Sequence, residues 1–211
     1  MNNDNFANIF EALTGNSPFP WQVALFKHFM NGQIPETANI PTGLGKTSIV
    51  AIWLIALAED PSKTSRRLVY VVNRRTVVDQ TTEEVRKLCE ALQKPELAEI
   101  RQTLLSLCAL PLPAPDSAPL AVSTLRGQFA DNREWSADPS RPAVIVGTVD
   151  MIGSGLLFNR YTCGFKTRPL HAGFLGQDAL LVHDEAHLEP SFQTLIESLS
   201  KIQSVSADSR K

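Results

Sequence analysis

Apolar positions near the start of the chain fall at helical spacing. Phe6, Ile9, Phe10 and Leu13 share one face, and Thr14-Gly15-Asn16-Ser17-Pro18 breaks the run. A second helix begins at Pro20, whose fixed φ and missing N–H suit a first turn. It carries Trp21, Leu25 and Phe29 and stops at Asn31-Gly32. From residue 37 the period changes. A short strand over 37–40 leads into Pro41-Thr42-Gly43-Leu44-Gly45-Lys46-Thr47, and an apolar helix follows over 48–58. Residues 67–73 are predicted as a strand, β-branched and aromatic with no polar alternation from Leu68 to Val72, as burial on both faces requires. Residues 74–92 return to helical spacing.

The middle is less regular. Residues 96–107 are predicted helical, the proline-rich run 110–119 an exposed extended loop, and 131–142 a polar loop. Strands are predicted at 120–122, 143–147 and 179–183, and an amphipathic helix at 191–205. Strands that alternate with helices predict an α/β fold with a mostly parallel sheet and helices on both faces.

Composition narrows the class. A net charge of −2 excludes a globally basic nucleic-acid binder, so any such contact must use local patches. Cys89, Cys108 and Cys163 form no Cys-x-x-Cys pair, which argues against a disulfide framework or a cysteine-rich zinc site. The longest apolar stretch, 49–58, is half a membrane span, and the N-terminus lacks the pattern of a signal peptide. The expectation is a cytoplasmic protein with no membrane contact.

The loop at 41–47 has the chemistry of a phosphate cradle. Gly43 and Gly45 let backbone N–H groups curl around phosphate oxygens. The helix that starts near Lys46 aims its positive end at the same place. Lys46 can reach the outer phosphates, and the Thr47 hydroxyl suits Mg²⁺. The strict pattern G-x-x-x-x-G-K-[ST] is not met, because Ile40 stands where its first glycine belongs. The form Ile-Pro-Thr-Gly-Leu-Gly-Lys-Thr resembles the first motif of superfamily-two helicases and translocases.

His183-Asp184-Glu185-Ala186-His187 ends the last apolar strand. Carboxylates there lie in the crevice where parallel sheets bind ligands. Asp184 is placed to hold Mg²⁺ and Glu185 to orient and deprotonate an attacking water. Asp-Glu-Ala-His resembles the second motif of the same superfamily. Two rival readings use these residues. His183 and His187 are spaced like the zinc pair of H-E-x-x-H, but Asp184 stands where that motif needs Glu, and the preceding run is a strand. A histidine–aspartate phosphohydrolase needs further ligands, and only His28 and His171 remain.

The resemblance carries more. It implies a RecA-like P-loop NTPase domain that binds ATP and Mg²⁺ through Gln22, Thr42, Gly43, Leu44, Gly45, Lys46, Thr47 and Asp184. Phe19-Pro20-Trp21-Gln22 is similar to the superfamily's adenine-reading segment. His187 would relay nucleotide state. Asn73-Arg74-Arg75-Thr76, Ser123-Thr124-Leu125-Arg126-Gly127 and Gly147-Thr148-Val149-Asp150-Met151 each follow a strand and resemble its strand-contact motifs. They offer Arg74, Arg75, Thr76, Arg126, Gly127 and Thr148 to a nucleic-acid backbone. The run 71–80, then Leu125-Arg126-Gly127, then the run 147–158 ending Gly-Ser-Gly-Leu-Leu-Phe, resemble the CRISPR-associated helicase of type I interference systems. That family joins two RecA-like lobes to a metal-dependent nuclease and degrades DNA marked by an RNA-guided surveillance complex.

On this resemblance, 1–35 holds the adenine-reading helices and 36–211 the first RecA-like lobe. The expected partners are single-stranded DNA and that surveillance complex. The family's Ser-Ala-Thr segment, second lobe and nuclease domain have no counterpart here. The chain is therefore expected to turn ATP over slowly by itself, since loss of an arginine finger costs roughly 10³–10⁵ in rate. The alternatives are the motor of a restriction system, an RNA helicase, and a non-catalytic nucleotide-binding module.

Overall fold

The structure, a computed structural model, describes residues 3–41, 43–114, 117–126, 134–160 and 163–208. Thr42 and Gly127 lie outside these residues. The early helices are α1 (Asn3–Thr14), α2 (Pro20–Met30) and α3 (Ile49–Glu59), the last preceded by a 3₁₀ turn at Lys46–Ser48. Then come β1 (Arg67–Val72), α4 (Arg75–Ala91), α5 (Ala98–Ser106), β2 (Ala121–Leu125) and α6 (Glu134–Ala137). The chain continues through β3 (Ala143–Thr148), α7 (Val149–Leu156), α8 (Arg168–Gly176), β4 (Ala179–His183) and α9 (Pro190–Asp208).

Four parallel strands form one sheet in the order β2-β3-β1-β4. The alternation of each strand divides the core in two. Leu68, Tyr70 and Val72 of β1 pack with α1 to α5, a layer centred on the fully buried Trp53. Val69 and Val71 face the other way, toward residues of α6 to α9. Parallel strands need crossovers that cover both faces, which is why β1 and β3 are apolar without a break. The arrangement is that of a RecA-like α/β domain. The first two helices share the α3 layer, with Phe6 stacked on Phe26 at 4.3 Å between ring centres.

Three expectations need correction. Residues 37–40, read as the strand feeding the phosphate loop, are not part of the sheet. Pro35 and Pro41 bracket the segment and lack ladder donors. Across a cleft of about 170 Å³, Ala38 and Ile40 face the outer edge of β4 without pairing to it. The supposed polar loop at 131–142 contains α6, which buries Trp135 against Phe174. Helices α7 and α8 were not expected, because glycines at 153, 155, 173 and 176 weaken the helical signal. At Gly155 packing decides: a β-carbon there would meet Leu175 at 2.5 Å.

Candidate nucleotide site and nucleic-acid face

The phosphate loop is held from α2. The Trp21 indole N–H donates to the Leu44 carbonyl at 3.2 Å. Gln22 is buried; its Oε1 accepts the Phe19 N–H at 2.6 Å and its Nε2 donates to Ser48 Oγ at 2.6 Å. Ser48 Oγ donates in turn to the Gly45 carbonyl. Gly43 and Gly45 have φ of +87° and +69°, a region that penalises any β-carbon. Both glycines thus hold a backbone conformation that other residues rarely adopt. Beside it opens a cleft of about 560 Å³ lined by Gln22, Gly43, Gly45 and Thr47, with α1 and α4 on its far side.

The acidic tetrad approaches from the sheet. Parallel pairing places Val71 beside His183, and the Asp184 N–H extends the ladder to the Val71 carbonyl at 2.9 Å. Glu185 has φ +54°, a left-handed conformation that costs a non-glycine residue on the order of 1 kcal/mol. It turns the carboxylate back onto Lys46: Nζ lies 2.6 Å from Glu185 Oε1 and 3.9 Å from Asp184 Oδ1. The hydrogen bond to Glu185, helped by the charge of Asp184, holds the Lys46 ammonium above its ordinary value. The same bond holds the Glu185 carboxyl below its own.

Tyr70 is the residue that sequence reasoning missed. Its hydroxyl donates to Asp184 Oδ2 at 3.1 Å. Burial, with the neighbouring Asp184 charge, pushes the phenol far above its usual value, so it stays a donor. A buried phenol thus aims the carboxylate expected to face Mg²⁺. In the sequence Tyr70 is one more aromatic residue in a buried strand; only the β1–β4 register reveals its reach.

The remaining tetrad groups are peripheral. His187 is exposed, with Nδ1 3.6 Å from Glu185 Oε2. His183 packs edge-on against Phe192, its Nδ1 3.3 Å from Gln193. The two imidazoles occupy a strand end and a 3₁₀ turn rather than one helix face, which is the geometry that a zinc pair of this spacing needs. Among the described residues, no three His, Cys, Asp or Glu side chains gather into a metal-holding cluster.

A family model described as DEAD/DEAH box helicase matches residues 19–207, most of the chain. The chain belongs to the DEAD/DEAH box helicase family. No curated protein and no solved structure matches it significantly. Domains of this family are ATP-dependent nucleic-acid motors and bind ATP with Mg²⁺. The residues of this helicase domain fit that pair: two glycines at positive φ, the Lys46 ammonium for phosphate charge, the Thr47 hydroxyl, and the Asp184 carboxylate aimed by the Tyr70 phenol. Among the described residues, no helix is long and apolar enough to cross a membrane.

The helicase domain divides the residues expected to touch nucleic acid. Arg75, the first residue of α4, lines an open cleft of about 1210 Å³ with Asn73 and Thr148, at the C-terminal ends of β1 and β3. Arg74 caps the same helix and Thr76 follows it, both exposed. Arg126 lies apart. It is ion-paired with Asp79 of α4, over a second cleft that Glu83 and Glu84 make acidic.

Proposed function

We propose that this helicase domain is the ATP-hydrolysing lobe of a DNA motor acting in type I CRISPR interference. The observation that carries the motor reading is the convergence of Lys46 on Asp184 and Glu185, with the Tyr70 hydroxyl on Asp184. The narrower assignment is supported by the runs 71–80 and 147–158. Their residues Asn73, Arg75 and Thr148 share one cleft.

When bound, magnesium–ATP supplies the transferable phosphoryl group and a cation that draws charge from it. Thr47 and Asp184 hold the cation, and Tyr70 keeps the carboxylate aimed. Lys46 leaves Glu185 to neutralise phosphate charge as it develops. Glu185, released, orients a water and takes its proton. Gln22 keeps one amide N–H and one oxygen lone pair beyond its two internal bonds, the pairing an adenine edge accepts. In this reading, residues 1–35 form the adenine-reading segment and 36–211 the RecA-like lobe, and His187 reports nucleotide state to the rest of the motor.

The test is the ATPase of the intact motor with single-stranded DNA or RNA. Stimulation by DNA well above RNA is expected, and further stimulation by a surveillance complex bound to its target. Equal or greater stimulation by RNA would overturn the DNA assignment, and no response to the complex would overturn the CRISPR assignment. Lys46→Ala tests the nucleotide site itself. Losing a hydrogen bond to a charged phosphate is worth about 1.5–3 kcal/mol, so ATP affinity should fall roughly 10- to 150-fold. Unchanged affinity would place the nucleotide elsewhere.

A further inference from the structure

Helix α7 ends in an unusual way. The Asn159 N–H reaches back to the Ser154 carbonyl at 2.8 Å, and the Phe158 N–H to the Gly155 carbonyl at 3.2 Å. This pair of bonds closes a helix with a left-handed residue, a position that usually belongs to glycine. Here it is Phe158, at φ +59°. A β-branched or bulky residue is an outlier in that region, and glycine would relieve the strain. The ring gains little packing in return, being 55% exposed, and the adjacent Leu157 is 54% exposed. A strained backbone and two apolar side chains left in water both weigh against the fold. Neither is explained by the core.

Their position explains them. Phe158 and Leu157 line the same cleft as Asn73, Arg75 and Thr148. Asp150 and Glu189 also line it, so Arg75 is the one cationic side chain among its described lining residues and phosphate is favoured only on that side. An exposed aromatic ring beside an exposed arginine offers a single strand a face on which to stack a base, a contact that tolerates any sequence because every base has a π face.

We propose that Phe158, flanked by Leu157, is a base-stacking platform for single-stranded DNA whose backbone lies on Arg75 and Thr148. The inference rests on the reading of that cleft as the nucleic-acid face. It adds a contact made to a base rather than to phosphate, by a residue outside the strand-contact segments.

Fluorescence anisotropy of this protein with an oligo(dT) strand and with an abasic strand of equal length tests it. Wild type should bind oligo(dT) about tenfold more tightly than the abasic strand, a gap of about 1.4 kcal/mol. Phe158→Gly should close that gap by weakening oligo(dT) binding about tenfold. It should leave abasic binding unchanged and raise the melting temperature, because glycine suits the backbone. Phe158→Trp should keep the gap. If Phe158→Gly binds oligo(dT) like wild type while Arg75→Ala weakens both strands, the cleft binds DNA and the stacking proposal alone is wrong. If wild type binds neither strand, or Arg75→Ala changes neither, the nucleic-acid reading of the cleft falls and the proposal with it.

Discussion

Charged groups at the two functional ends of this domain are held in opposite ways. At the phosphate loop they hold one another: Lys46 lies on Glu185, and Asp184 takes the Tyr70 hydroxyl. Around Thr148 they face solvent: Arg75 is exposed and makes no ion pair among the described residues, and Phe158 stands half in water. On the proposed reading the first end would bind by exchange, because a nucleotide would have to take Lys46 from Glu185 and gain only the difference between two charge-assisted contacts. The second would bind by addition, replacing only water and counterions.

The largest effect should come from Glu185→Gln. Losing the base should lower hydrolysis by the intact motor roughly 10²- to 10⁴-fold in single-turnover assays. A neutral amide also holds Lys46 less firmly, so ATP should bind more tightly than to wild type. A fall in ATP affinity would break the exchange picture.

Tyr70→Phe is a smaller probe of the same end. It removes the hydrogen bond to Asp184 while keeping the ring, at a cost of about 1 kcal/mol. The Mg²⁺ concentration that half-saturates nucleotide binding should rise roughly fivefold, and the melting temperature should fall by about 2–4 °C. A lower Mg²⁺ requirement would mean that Tyr70 obstructs the cation rather than aiming its ligand.

Arg75→Ala addresses the other end. The salt dependence of single-stranded DNA binding should lose about 0.7 from its logarithmic slope for each phosphate contact removed. ATP affinity should not move. A change in both would show that the two ends are not separable.

The smallest effect concerns pH. Glu185 has a lowered carboxyl, so its contribution to stability is present above its ordinary value of 4.5 and is lost as pH falls through the lower folded value. Lys46 has a raised ammonium, so its contribution is present below 10.5 and is lost as pH rises past the higher folded value. Thermal melting should show the pair as a plateau between these limits. Because both side chains are partly exposed, the acid-side decline should be slight, and Glu185→Gln should remove that part of it.

Sequence patterns revealed most of the sheet. The strands that became β1 and β3 are apolar without interruption, because burial on two faces demands it. Strand β4 was equally legible, and so was the carboxylate pair that follows it. The segment at 37–40 was misread because a strand exists only when it has a neighbour, and pairing is a tertiary fact. Helices α7 and α8 escaped notice because glycine lowers helix propensity; at Gly155 the residue answers instead to close packing against Leu175.

The site was legible in part for a related reason. The spacing of Gly43, Gly45, Lys46 and Thr47 is local and visible in a string of letters. The contact of Tyr70 with Asp184 spans 114 positions and depends on the register of two strands. The same holds for the pairing of Arg126 with Asp79, which set that arginine apart from Arg75.

The central claim is that Thr47 and Asp184 hold one cation. It is tested most directly by calorimetric titration of ATP, with and without Mg²⁺, into wild type, Thr47→Ala, Asp184→Asn and the double variant. If the two residues share a cation, each single variant loses most of the gain in affinity that Mg²⁺ confers, and the double variant loses little more. Losses that simply add, or a Mg²⁺-dependent gain that survives both substitutions, would contradict it.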